Sequence, residues 1–227
     1  MEARENKRPV VLATRLSDGV QYLLPDESQA SSLNQAAEAA LRDDESRTVA
    51  IAGENWFLQA HNPPMRLLVV GAVHIAQALP AFATAVGFGV TVVDPRRSFA
   101  SGERFPGVTI RSDWPDEALD ALKPDARTAV VTLTHDPKLD DPALDRALRS
   151  AAFYIGALGS RRTHAARLQR LRELGHDDAA LARIRGPVGL DLEAVTAPEI
   201  ALSIVADLVA VRRGSPLATR TPAQRAA

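Results

Sequence analysis

A short apolar run leading through a glycine turn into a helix-compatible stretch constrains this chain more than any other feature. Leu67-Leu68-Val69-Val70 is followed directly by Gly71-Ala72-Val73-His74-Ile75-Ala76. In a strand–turn–helix setting, the spacing G-x-G-x-x-G seats a dinucleotide pyrophosphate on the helix N-terminus. The first glycine makes the tight turn, the second admits the phosphates close to the backbone, and the third lets helix pack on strand. Gly71 fills the first position and Ala76 is an accepted substitute at the third, but the second position is Val73. A branched side chain there should crowd an ordinary NAD or FAD pyrophosphate. The spacing therefore predicts a Rossmann-like scaffold and leaves its ligand open.

Strand and helix signals alternate after this turn, which argues for an α/β fold: a parallel sheet with helices on both faces. Leu67–Val70 reads as the first strand and His74–Val86 as the first helix, which Pro80 should kink or shorten. Val90–Asp94 is the next strand, followed by a short one near Val108–Ile110 and a helix that Trp114-Pro115-Asp116 opens and that runs through Leu122. Thr128–Leu133 is a nearly continuous run of β-formers, as expected of a strand buried on both faces. Asp141-Pro142 opens a helix to about Arg149, and Phe153–Gly156 is the following strand. Ser160 can cap a helix whose apolar stripe is Ala165, Leu168, Leu171 and Leu174, and Asp177–Ile184 reads as a short helix. Thr196-Ala197-Pro198-Glu199 is a capping box for a last helix ending near Arg213. The region 65–214 is thus expected to form the Rossmann-like domain, with 215–227 as a fraying tail.

The segment 1–62 reads as a small separate α+β unit with a ββαββ pattern. Ser17-Asp18-Gly19 turns one hairpin, Ser32–Arg42 is helical, and Gly53-Glu54 turns a second hairpin. It looks too small for a core of its own, so packing on the rest of the chain or on a second copy is expected, which allows a homodimer. His61-Asn62-Pro63-Pro64 marks the boundary. Formal net charge is −1, so no global field favours nucleic acid or an anionic membrane. Cysteine is absent, which rules out disulfides, thiolate metal sites and cysteine nucleophiles in this chain. Met1–Lys7 lacks the apolar stretch of a signal peptide, and no apolar run approaches the roughly 20 residues that span a bilayer. A cytoplasmic protein is expected.

Ligands of a doubly wound sheet bind beyond the carboxyl ends of its strands, and the unusual polar residues of this chain gather at four such ends. Gly71 to His74 is the first. Asp94 lies about 20 residues further on, where a Rossmann carboxylate accepts a ribose hydroxyl; it would otherwise be a plain strand-end residue before Pro95. Arg96 and Arg97 follow directly; one of them is a phosphate ligand, or the pair with Asp94 is a solvated surface cluster. His135 and Asp136 follow the strand ending at Leu133, and His135 is either an acid–base or ligand-orienting group or a loop cap bonded to Asp136. With His74 they lack the spacing of a metal site. Gly159, Ser160, Arg161 and Arg162 form a second glycine turn into a helix. Arginines in a first helical turn oppose the helix dipole, and a bound anion would explain them. The loop from Gly186 to Asp191 could close over the site. No nucleophile with its base is evident, so the residues alone indicate a Rossmann-like domain for an anionic, phosphate-bearing ligand.

These segments together resemble the XdhC/CoxI family of accessory proteins for molybdenum hydroxylases. The resemblance rests on residues 67–77 and 90–94, Phe105-Pro106-Gly107, Leu133–Asp141 (LTHDPKLDD), Tyr154–His164 (YIGALGSRRTH), Gly186–Asp191 and the last helix with Glu199-Ile200-Ala201. It implies a non-catalytic maturation factor that binds molybdenum cofactor (molybdopterin), supports its sulfuration and delivers it to the apo-enzyme of a xanthine or carbon monoxide dehydrogenase. Gly71, Val73, His74, Gly159, Ser160, Arg161 and Arg162 would then cradle the ligand, with Asp94, Arg96, His135 and Asp136 at its polar edges. Fuller members carry a cysteine-bearing segment ahead of the Rossmann part. Without one here, sulfur would come from a partner desulfurase. The competing expectations are an NAD(P)-dependent oxidoreductase, which Val73 and the lack of a Tyr-x-x-x-Lys proton relay oppose, and a regulatory or structural homologue that has lost ligand binding.

Overall fold

The computed structural model describes residues 9–219. The chain forms two compact units that divide between Pro63 and Pro64. Residues 1–7 and the tail beyond Thr219, on which the leader and tail expectations bear, lie outside the described residues.

Among the described residues, the first unit is an antiparallel sheet of order β2-β1-β4-β3, built from β1 (Val10–Arg15), β2 (Gln21–Leu24), β3 (Arg47–Ile51) and β4 (Glu54–His61). Ala52 and Gly53 both take positive φ, the backbone of a two-residue hairpin turn whose twist matches its strands. Helix α1 (Ser31–Asp43) covers one face. Its Leu33, Ala37 and Ala40 fall on one side of a 3.6-residue repeat and meet the alternating inward residues Val11, Ala13, Trp56 and Leu58. Asn62 Nδ2 donates to the Leu41 carbonyl at 2.9 Å, satisfying an acceptor at the helix C-terminus. The expectation that this unit lacks a core of its own is therefore corrected: small alanines let the helix sit close enough to the sheet to bury eight apolar residues.

The second unit is α/β. Its parallel strands are β5 (Met65–Val70), β6 (Phe88–Val93), β7 (Thr109–Arg111), β8 (Thr128–Thr132), β9 (Tyr154–Ala157) and β10 (Ile184–Arg185), in the order β10-β9-β8-β5-β6-β7. That is the doubly wound order in which the chain reverses direction across the sheet between β5 and β8. The helices are α2 (His74–Ala85), α3 (Pro115–Leu122), α4 (Pro137–Leu148), α5 (Arg161–Glu173), α6 (Asp178–Leu181) and α7 (Ala197–Arg212). Alternation along β5 splits the core in two. Leu67 and Val69 pack with Ala76, Leu79 and Ala83 of α2 and Ile204 and Leu208 of α7. Leu68 and Val70 pack with Leu119, Leu144 and Leu171 of α3, α4 and α5. Helices thus lie on both faces, as the alternation of signals predicts.

Several local expectations are corrected. Helix α4 starts at Pro137 rather than at Asp141, because the Asp136 carboxylate accepts the Lys138 N–H at 3.0 Å and Pro137 occupies the first turn, where a missing N–H is harmless. Pro80 does not shorten α2, which continues past it to Ala85. Ile184 belongs to an edge strand rather than to a helix. The chain beyond Gly214 does not simply fray: a 3₁₀ turn, Pro216–Thr219, is fastened where Arg185 Nη1 donates to the Ala218 carbonyl at 3.0 Å. The stripe on α5 is also different, since Arg167 and Leu171 are buried while Ala165 and Leu174 are exposed. The capping box on α7 forms, with Glu199 accepting the Thr196 N–H at 2.8 Å. No helix among the described residues is long and apolar enough to cross a membrane.

Candidate functional site

The strand order puts the switch point of the sheet between β5 and β8, and folds of this kind bind ligands beyond the carboxyl ends of the strands there. On the β5 side, the Gly71 N–H donates to Val93 O at 2.8 Å and the Ala72 N–H to Asp94 Oδ2 at 2.8 Å. Asp94 is fully buried. Its carboxylate also accepts the Arg96 backbone N–H at 2.9 Å and the Arg96 guanidinium at 2.9 and 2.7 Å. Burial pushes this carboxyl up, but the Arg96 side chain and the two amides more than reverse that and hold it below the ordinary carboxylate value. Asp94 therefore braces the glycine turn against Arg96. Val73 is the N-cap of α2 and packs half-buried against the α2–α7 core, while His74 is exposed.

The β8–α4 turn nests against this one. Gly71 has φ +108, and a Cβ there would lie 2.5 Å from Thr134 Cγ2. Thr134 Oγ1 donates to Asp140 Oδ1 at 2.7 Å and accepts the Asp136 N–H at 3.0 Å. His135 takes φ +62, a left-handed backbone that an ordinary side chain seldom adopts, and its imidazole is exposed. The Asp136 carboxylate caps α4 through Lys138 and also bears electrostatically on Arg96.

The β9–α5 turn completes the crest. Gly159, at φ +136, has His135 Nδ1 3.6 Å from the position its Cβ would take. Ser160 caps α5 by accepting the Thr163 N–H at 3.2 Å. Arg161 and Arg162 occupy the first turn with exposed side chains. The structure thus gathers Gly71, His135, Asp136 and Gly159 at one place, with Arg96 on one flank and the two arginines on the other.

Beneath this crest lies a pair that sequence reasoning misses. Arg167, 1% exposed, donates through Nη2 to the Leu158 carbonyl at 2.8 Å, and the same nitrogen lies 3.5 Å from Asp140 Oδ2. Arg167 Nε and Nη1, Asp140 Oδ2 and His164 Nδ1 have no hydrogen-bond partner. Burial raises the Asp140 carboxyl, against the opposing effects of Thr134 and Arg167, and burial lowers the Arg167 guanidinium. Asp140 holds Thr134 and Arg167 holds Leu158, so the pair ties the β8–α4 turn to the β9–α5 turn. The one signal in the sequence is position: Arg167 sits one helical turn before Leu171 on the inward face. A second missed network lies at the sheet edge, where Asp207 accepts from Tyr154 Oη at 2.8 Å and from Arg185 Nε and Nη2 at 2.7 Å each. Among the described residues, no three metal-ligating side chains cluster.

The sheet order and the turns at its crest define a Rossmann-type domain. Residues 67–208 match the model of the XdhC Rossmann domain, and the chain belongs to the XdhC family, as the resemblance implied. It is 35% identical over 158 residues to the molybdenum cofactor insertion chaperone PaoD of Escherichia coli K12, a match covering 70% of this chain and 43% of that protein. It is 30% identical over 160 residues to a probable xanthine dehydrogenase subunit of Bacillus subtilis 168, covering 70% and 46%. The chain spans less than half the length of these curated relatives. A crystal structure described as a xanthine dehydrogenase from Bacillus halodurans shares the fold, with a TM-score of 0.70 and 26% identity over 99% of this chain and 65% of that one.

Proposed function

We propose that this chain is an accessory protein that binds molybdenum cofactor and supports its insertion into a molybdenum hydroxylase of the xanthine or carbon monoxide dehydrogenase type. The observation that carries this reading is the start of α5. Two exposed guanidiniums stand in a first helical turn, where the helix dipole disfavours cations and the first backbone N–H groups have no acceptor within the helix. A phosphate, such as molybdopterin carries, satisfies both. PaoD, a relative named for inserting this cofactor, supports the ligand's identity.

The donor set fits the group. Ser160, Arg161 and Arg162 would take the phosphate, and Gly159 keeps the turn open to it. Gly71, Val73, His74, His135 and Asp136 would line the opposite lip. Asp94 and Arg96 would act through the turn they brace, because the Asp94 oxygens are engaged by Ala72 and Arg96. That engagement counts against NAD(P), whose ribose needs a free acceptor at this place. The cofactor supplies its hydroxylation chemistry only in the client enzyme, so the work of this chain is to hold and release it. A client apo-enzyme is the partner, a desulfurase the source of sulfur, and the cytoplasm the place of work; a homodimer is compatible with this role.

Arg161→Ala with Arg162→Ala is expected to weaken retention of phosphorylated pterin about tenfold or more, since charge-assisted hydrogen bonds contribute roughly 1.5–3 kcal/mol each. The comparison is pterin released per protein after identical washing, with thermal unfolding as control. Unchanged retention would remove the α5 turn from the site. Failure of loaded wild-type protein to restore activity to an apo-hydroxylase would remove the delivery role.

A further inference from the structure

The segment 186–194 does more than cover the edge of the sheet. The Val188 N–H donates to Ala157 O at 3.2 Å and the Leu190 N–H to Ser203 O at 3.1 Å, fastening it to β9 and α7. Gly189, at φ +92, runs so close to α7 that a Cβ would lie 2.5 Å from Ser203 Oγ. Glu193 takes φ +54, a conformation that costs an L-residue energy and recurs at ligand-binding loops. Between this segment, α7 and the β9–α5 turn lies a cleft of about 330 Å³, within the range of roughly 300–1,000 Å³ of small-molecule sites. Leu158, Leu190 and Ile200 give it apolar walls, and Arg161, Asp191 and Glu193 are its charged groups. Leu158 and Arg161 also belong to the anion turn, so the cleft and the phosphate site share a wall.

We infer that this cleft receives the planar heteroaromatic end of the ligand whose phosphate end is held at the start of α5, an inference that rests on the cofactor-binding reading above. The chemistry of the charged groups selects the ring. A 2-amino-4-oxopyrimidine edge, present in pterins and in guanine, offers two adjacent N–H donors. A carboxylate accepts such an edge with both oxygens, as it accepts a guanidinium. Asp191 and Glu193, both exposed, supply carboxylates, and the apolar walls cover the ring faces. Adenine offers a donor beside an acceptor on its pairing edge, so a carboxylate can bond only half of it. The cleft therefore selects for a pterin over an adenine nucleotide, and does so apart from the glycine turn at Gly71.

Neopterin, a fluorescent pterin without phosphate, is the probe, titrated into the full chain by fluorescence anisotropy with guanosine and adenosine as competitors. Neopterin is expected to bind and to lose about tenfold or more in affinity with Asp191→Asn plus Glu193→Gln. Guanosine should compete and adenosine should not. Both carboxylate replacements are isosteric and on exposed side chains, so unfolding does not confound them. Neopterin binding that ignores the carboxylate changes would overturn the assignment, as would binding of guanosine with exclusion of neopterin. Retention of molybdopterin without neopterin binding refutes the cleft alone. Absence of both from the wild-type protein refutes the cofactor reading beneath it.

Discussion

Arg167→Met is expected to destabilise the Rossmann-type unit by about 3–5 kcal/mol, the usual cost of removing one member of a buried ion pair. Arg167 is 1% exposed, bonded to Leu158 O and 3.5 Å from Asp140 Oδ2. Its loss leaves the Asp140 charge buried with only Thr134 as partner. The sign of the pH dependence follows. Burial already raises the Asp140 carboxyl in the folded state, so the folded chain binds more protons than the unfolded chain between the unfolded and folded values. Stability contributed at this site is therefore present at acid pH and falls as pH rises through that window. Without Arg167 the folded value rises further, and the deficit of the variant should be larger at pH 8 than at pH 5. Adding Asp140→Asn removes the stranded charge while keeping an acceptor for Thr134, and should restore much of the loss. Urea denaturation of the two single variants and the double variant at both pH values is the measurement. Equal stability of wild type and Arg167→Met would show that the pair does not join the two turns.

Gly71→Ala is expected to cost about 2–4 kcal/mol, from left-handed strain at φ +108 and overpacking against Thr134. The steric share can be isolated. Thr134→Ser deletes the Cγ2 that a new Cβ would meet at 2.5 Å and keeps the Oγ bonded to Asp140 and to the Asp136 N–H. The double variant should recover part of the loss and retain the share due to φ. If Thr134→Ser gives no recovery, the two turns do not touch as described. The first position of the glycine turn is thus required by the protein's own packing, whatever ligand lies above it.

The architecture of the second unit is legible because β5, β6 and β8 are apolar runs set among helical segments, and because the glycine turns after β5 and β9, at Gly71 and Gly159, sit where helices begin. Less is legible at the site, for reasons of chemistry. Arg167 gives little sign of burial because arginine is rarely buried unless paired, and its partner Asp140 is on another helix. Position identifies Asp94, but a sequence cannot show that Ala72 and Arg96 engage its oxygens. The start of α4 is easily misplaced because Asp141-Pro142 mimics a helix start, while the cap in use is Asp136. The edge strand β10 spans two residues, too short for any period to register. In the first unit, alanines at 37 and 40 carry little hydrophobic signal, yet their small size is what lets α1 close on the sheet.

The most direct test of the cofactor-binding reading is what the protein carries out of a host competent in molybdopterin synthesis. The purified chain is denatured and oxidised, and the supernatant is assayed for pterin fluorescence and, by chromatography, for NAD(P). A pterin signal approaching one per chain, diminished in the Arg161→Ala/Arg162→Ala variant, is the expected result. NAD(P) with no pterin would contradict it and return the glycine turn at Gly71 to a dinucleotide.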